Sequence, residues 1–88
     1  MQVLLVQDDG ETRDFIARGL REAGHQVTAC ATGQSGLIEA TGRDFDAIVL
    51  DRMLPGIDGL SLLRMLRAGG RNAPVLMLTA LGSIADRV

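Results

Sequence analysis

Four short strand-like segments, separated by segments of helical periodicity, limit the folds open to this sequence more than any other feature. Three of them are apolar runs, residues 3–6, 47–50 and 75–78, and the fourth covers residues 25–30 with Val27 and Ala29 on one face. Apolar runs of this length are typical of strands that are buried on both faces of a parallel sheet. We therefore expect a chain in which strands and helices alternate.

The segments between these runs predict helices. They cover about residues 11–23, 33–41 after a cap at Thr32, and 60–68, with the start of a fourth helix at Ser83. In the first helix, one face against the sheet is predicted by the helical spacing of Phe15, Ile16, Gly19, Leu20 and Ala23. Asp8 or Asp9 can cap this helix, because short side chains that accept hydrogen bonds suit the N-cap position.

Alternating strands and helices predict a single α/β domain with a parallel sheet and right-handed crossovers. If the first helix packs on one face of the sheet and the next two on the other, the strand order is 2-1-3-4. The result is a three-layer sandwich whose topological switch point lies between strands 1 and 3. Open α/β sheets bind their ligands at the carboxyl ends of the strands at such a point, so a functional site is expected there.

The composition narrows the class of protein further. Hydrophobic residues make up 47% of the chain and charged residues 23%, which is typical of a globular domain. The formal net charge is −2 and the nine basic residues are scattered arginines, which argues against nucleic-acid binding by this segment. Cys30 is the single cysteine, so no intrachain disulfide is expected. Neither a signal peptide nor a membrane-spanning run is recognisable, and we expect a cytoplasmic location without a membrane partner.

Three carboxylates are predicted to meet at the switch point. Asp8 and Asp9 follow the first strand, and Asp51 ends the third. Like charges that lie this close repel one another unless a cation enters, and carboxylate oxygens suit Mg²⁺. A carboxylate beside Mg²⁺ can attack phosphorus and form an acyl phosphate.

Simpler roles remain open for each of these residues. Asp8 and Asp9 can act as helix caps, a role that is compatible with metal binding. An aspartate at a strand end, such as Asp51, commonly serves a turn. Thr79, at the end of the fourth strand, is equally well explained as a turn residue or as a hydroxyl donor to a phosphoryl oxygen.

Three segments together identify a family that the chain resembles. They are residues 4–9 (LLVQDD), 48–59 (IVLDRMLPGIDG) and 74–80 (PVLMLTA). The sequence resembles the receiver domains of bacterial two-component response regulators, and most of all the subgroup whose C-terminal domain is a DNA-binding winged helix. The resemblance implies a flavodoxin-like fold and a signalling role without enzymatic turnover.

The resemblance also implies roles for individual residues. Asp51 would be the phosphoacceptor, with a sensor histidine kinase as the phosphoryl source. Asp8 and Asp9, together with Asp51 and the backbone carbonyl of Met53, would bind Mg²⁺. Thr79 would be the switch hydroxyl.

The resemblance covers only the N-terminal portion of a receiver domain. The fifth strand and the last helices of the family fold lie outside residues 1–88, and so does any DNA-binding effector domain. The conserved lysine and the switch aromatic residue of the family would lie there too. Without a fifth strand, the fourth strand or the uncovered sheet face predicts homo-oligomer formation.

Two other functions remain open. One is a Mg²⁺-dependent phosphohydrolase with an aspartyl nucleophile, although such enzymes usually carry a second aspartate where this chain has Met53. The other is an interaction module that works without phosphorylation.

Overall fold

The chain alternates strictly between strands and helices. A computed structural model describes residues 1–78, so the predictions for Thr79 and Ser83 lie outside the described residues. The elements are β1 (Gln2–Val6), α1 (Gly10–Glu22), β2 (Gln26–Cys30), α2 (Gly33–Gly42), β3 (Ala47–Asp51), α3 (Gly59–Ala68) and β4 (Val75–Leu78). None of these helices is long and apolar enough to cross a membrane.

The four strands form one parallel sheet in the order β2-β1-β3-β4. The predicted order is therefore confirmed. Val6 at the end of β1 pairs with Leu50 of β3, and Asp51 pairs with Leu78 of β4. The carboxyl ends of these neighbouring strands consequently lie at the same edge of the sheet.

Side chains alternate between the two faces of the sheet and build two separate cores. Leu4, Val6, Ile48 and Leu50 belong to the core that also contains Leu62 and Leu66 of α3 and Ala40 of α2. Val3, Leu5 and Val49 pack with Ala17 of α1 on the opposite face. The three predicted layers, with α1 alone on its side, are thus confirmed.

The predicted inner face of α1 is confirmed only in part. Ile16 and Leu20 pack partly against the core, but Phe15 is 76% exposed, Gly19 and Ala23 are exposed as well, and Ala17 is buried instead. Phe15 lies about 200° around the helix from Ala17, because each residue of an α-helix advances by about 100°. A side chain in that position points away from the sheet.

Each helix begins with a side chain that accepts hydrogen bonds from its first turn. The Asp9 carboxylate accepts from the Thr12 N–H at 2.9 Å and from the Thr12 hydroxyl at 2.6 Å. Thr32 caps α2, as predicted, and Asp58 accepts from the Ser61 N–H at 2.8 Å at the start of α3. Of the two candidate caps for α1, the structure uses Asp9.

The hydrogen bonds at these helix caps lower the pKa of Asp9 and the pKa of Asp58. The hydroxyl and backbone N–H of Thr12 hold the pKa of Asp9 below its ordinary value of 3.8. The backbone and side chain of Ser61 lower the pKa of Asp58 in the same way. A carboxylate with a lowered folded-state pKa stabilises the fold above its unfolded pKa and loses this contribution as the pH falls through the folded value.

We expect Asp58→Asn to lower the stability at pH 7 but not at low pH, because the asparagine keeps a capping oxygen and loses only the charge. The difference in the free energy of unfolding between wild type and variant should shrink from about pH 4 downward. Denaturant unfolding at a series of pH values measures it. Asp14→Asn, the same charge change at an exposed site of α1, is the control, and an equal pH dependence in both variants would contradict the cap assignment.

Gly59 allows α3 to start directly against the end of β3. A Cβ atom at this position would lie 2.7 Å from Arg52 Cα and would also collide with the carbonyl oxygen of Asp51. The Gly59 N–H donates to the Arg52 carbonyl at 3.0 Å. A side chain here would therefore push the helix away from the segment that follows Asp51.

We expect Gly59→Ala to destabilise the fold by about 1–3 kcal/mol, the usual cost of forcing atoms into a packed site. Gly42→Ala is the matched control, since a Cβ at Gly42 meets no atom within 4 Å; it should be neutral or slightly stabilising. Denaturant unfolding measures both. Equal effects in the two variants would show that the contact with Asp51 is unimportant.

Candidate functional site

Asp51 is the last residue of β3 and lies at the switch point of the sheet. Its side chain is half-buried, and its Oδ1 accepts a hydrogen bond from the Met53 N–H at 3.0 Å. The second carboxylate oxygen accepts no hydrogen bond from residues 1–78. One oxygen is therefore fixed in direction, and the other is left to react or to bind a ligand.

Asp8 lies beyond the end of β1 and lines a hollow together with residues of the loop after β3. The hollow has a volume of about 590 Å³. Its lining residues are Asp8, Arg52, Met53, Leu54, Pro55, Asp58 and Leu60. The exposed Asp8 carboxylate makes no hydrogen bond to the described part of the chain, so its oxygens are open to a ligand.

Asp9 is the third predicted carboxylate, and its side chain is turned toward α1. Both of its described hydrogen bonds come from Thr12, and they use a single oxygen, Oδ2. Nowhere in residues 1–78 do three His, Cys, Asp or Glu side chains form a group that could hold a metal ion. The strands bring Asp8, Asp9 and Asp51 to one edge of the sheet, but their carboxylates are not gathered around one point.

Gln7 is a site residue that the sequence analysis did not single out. It follows β1 directly, and extending the register of Val6 with Leu50 by one residue puts it beside Asp51. It is the one buried polar side chain among the described residues, with 6% of its surface exposed. The signal is the side-chain alternation of β1: when it is extended by one residue beyond Val6, Gln7 falls on the face of Leu5, as Asp51 falls on that of Val49.

Arg13 places a positive charge near the end of β1. Its Nη1 donates to the carbonyl oxygen of Gln7 at 3.0 Å and to that of Asp8 at 3.4 Å. These two bonds tie the first helix to the β1–α1 turn. The guanidinium also contributes to the lowered pKa of Asp9, although the hydrogen bonds from Thr12 are the larger cause.

The oxygen atoms available at this edge of the sheet suit Mg²⁺ as ligands, both in chemical type and in number. The ion is usually held by one or two carboxylates and keeps several of its waters, so a site at this edge would not need all three aspartates. The Met53 carbonyl belongs to the same loop, while its N–H already bonds to Asp51. The predicted switch residue Thr79 lies outside the described residues.

Comparison with protein families identifies the domain. The family model described as "Response regulator receiver domain" matches residues 3–88. The chain is 43% identical over 88 residues to the probable transcriptional regulatory protein SilR of Salmonella typhimurium and 42% identical to the transcriptional regulatory protein CusR of Escherichia coli. Each alignment covers 100% of this chain and 39% of the relative; the chain thus spans about two-fifths of the length of these proteins.

Solved structures share the fold. The receiver domain of the Francisella response regulator 1452 superimposes with a TM-score of 0.88 at 36% identity, over 98% of this chain and 71% of that one. The response regulator TrrA of Thermotoga maritima, solved in complex with Mg(2+)-BeF, has a TM-score of 0.86 at 25% identity, over 99% of this chain and 76% of that one. The family match, the parallel sheet and the aspartate at the end of β3 lead to one conclusion: the chain belongs to the response regulator receiver domain family.

Proposed function

We propose that this segment is the N-terminal portion of a phosphoacceptor domain in which Asp51 receives a phosphoryl group from a sensor histidine kinase. The observation that carries the proposal is the Asp51 carboxylate at the switch point. One of its oxygens is held by the Met53 N–H, and the other accepts no hydrogen bond from residues 1–78. The fixed oxygen orients the group, and the second oxygen is the nucleophile.

The transfer exchanges one bond to phosphorus for another. The free oxygen of Asp51 attacks the phosphorus atom of a phosphohistidine, an acyl phosphate bond forms, and the phosphorus–nitrogen bond of the kinase breaks. The electron pair of that bond returns to the imidazole. Positioning and charge neutralisation supply most of the catalysis in such transfers, and both would depend on the edge of the sheet at which Asp8 and Asp51 lie.

Mg²⁺ is part of the proposal. Asp8, Asp51 and the Met53 carbonyl would hold it, and when bound it would neutralise charge on the phosphoryl oxygens. Asp9 contributes mainly its charge, because its Oδ2 is engaged by Thr12. Response regulator TrrA, which has this fold and was solved in complex with Mg(2+)-BeF, supports the choice of Mg²⁺.

The output of the domain would be the control of transcription. SilR and CusR are named as transcriptional regulatory proteins, and both are longer than the present chain. We infer that phosphorylation of Asp51 controls a DNA-binding domain elsewhere in the encoded protein, in the cytoplasm and without catalytic turnover. Self-association through β4 or a sheet face stays a prediction.

The first test is chemical. The protein as encoded is treated with a small-molecule phosphodonor and Mg²⁺, and the modified residue is mapped by mass spectrometry. We expect one phosphoryl group per chain at Asp51 and none in Asp51→Asn, while Asp14→Asn is labelled like wild type. Equal labelling of Asp51→Asn would remove the basis of the proposal, and continuous release of phosphate over many turnovers would favour a phosphohydrolase.

The second test separates the two aspartates after β1. We expect Asp8→Asn to weaken Mg²⁺ binding about tenfold or more, because it removes a carboxylate that faces the ion. Asp9→Asn should have a smaller effect, since that carboxylate is turned toward Thr12. Calorimetric titration with Mg²⁺ measures both; the reverse order would mean that Asp9 leaves its cap to bind the metal. A tenfold change corresponds to about 1.4 kcal/mol.

A further inference from the structure

We propose that Gln7 is a phosphoryl-binding residue whose Nε2 amide donates a hydrogen bond to an oxygen of the phosphoryl group on Asp51. The inference rests on the proposed phosphoacceptor role of Asp51. It adds a direct contact to the phosphoryl group from a neutral side chain.

Among residues 1–78, the hydrogen bonds of Gln7 leave its side-chain nitrogen, Nε2, without a partner. Its backbone N–H donates to the Cys30 carbonyl at 3.0 Å, and its own carbonyl accepts from Arg13 at 3.0 Å. Its side-chain Oε1 accepts from the Asp9 N–H at 3.0 Å. Since a backbone N–H can only donate, the oxygen of the amide must face Asp9, and the nitrogen must face the other way. The Nε2 donates no hydrogen bond to any acceptor of residues 1–78.

The position of Gln7 in the sheet directs its Nε2 toward the side of the sheet on which Asp51 lies. Residues paired across a parallel ladder share a face, as Leu5 and Val49 do on the side of α1. Gln7 and Asp51 are the next such pair when the register is extended by two residues from Leu5 and Val49. The amide therefore lies on the same face as the Asp51 carboxylate, one strand away.

A buried donor without an acceptor is unfavourable, and a new oxygen near it removes the penalty. Phosphorylation of Asp51 delivers three such oxygens. Only 6% of the surface of Gln7 is exposed, and three hydrogen bonds hold the residue in place. It therefore needs little reordering to make a fourth hydrogen bond. A hydrogen bond to a charged group is also stronger than one between neutral groups.

The decisive measurement is nuclear magnetic resonance of the Gln7 side-chain amide in the protein as encoded. Beryllofluoride, which mimics a phosphoryl group on an aspartate, is added with Mg²⁺. We expect the Nε2 protons of Gln7 to shift downfield and to exchange more slowly with solvent. The amide of Gln34, exposed on α2, should not change, and neither amide should change in Asp51→Asn.

Two variants test the energetic consequence. Gln7→Met removes the amide, and Gln7→Glu keeps an oxygen for the Asp9 N–H while it removes the donor. We expect both to bind beryllofluoride about tenfold more weakly at saturating Mg²⁺, which is the effect of losing a hydrogen bond to a charged group. Gln34→Met should bind as wild type does.

The outcomes distinguish this inference from the function on which it rests. If beryllofluoride does not bind the wild-type protein at Asp51, the phosphoacceptor role itself is wrong. If it binds while the Gln7 amide is unchanged, only the role of Gln7 is overturned. Tighter binding in Gln7→Glu would also overturn that role, because it would mean that the position favours negative charge rather than a donor.

Discussion

The parallel pairing of β1 with β3 is the constraint on which the rest of the structure depends. Its register joins Leu5 to Val49 and Val6 to Leu50, and it thereby sorts the side chains into the two cores. A slip of one residue would turn each apolar side chain to the wrong face. Extended by one residue, the same register puts Gln7 beside Asp51. The pairing that buries the core therefore also brings together the residues around the proposed phosphoacceptor.

Close contacts at glycines hold the loop after β3 from two sides. At Gly33, the start of α2, a Cβ atom would lie 3.0 Å from Ile57 Cβ, and at Gly59 it would collide with the backbone of Asp51. Gly36 extends the same packing to β1, where a Cβ would lie 2.6 Å from Val6 Cγ2. Helices that approach this closely restrict the loop that carries Met53, and a site needs such support to keep its groups in position.

The sequence was sufficient for the sheet order and for the location of Asp51. The spacing of apolar residues marks the helix faces, and the ends of the apolar runs mark the ends of the strands. The sequence was insufficient where side-chain direction decides. Phe15 shares its helical segment with Ile16 but is rotated away from the sheet. Asp9 was recognised both as a possible cap and as a possible ligand, and only coordinates show that its carboxylate bonds to Thr12. Gln7 was given no role from the sequence, because its burial depends on the neighbouring strands.

The capping of α1 by Asp9 also stabilises one of the three negative charges at this edge of the sheet. Three free carboxylates at one edge would repel one another and disfavour the entry of an anionic phosphoryl group. Here the charge of Asp9 is stabilised by Thr12 and by the nearby Arg13, and Gln7 adds a buried donor without adding charge. Asp9 nevertheless keeps its negative charge, and within residues 1–78 the Asp8 carboxylate and one oxygen of Asp51 accept no hydrogen bond. A cation bound at this edge of the sheet, as proposed above, would offset the remaining repulsion before an anionic phosphoryl group arrives.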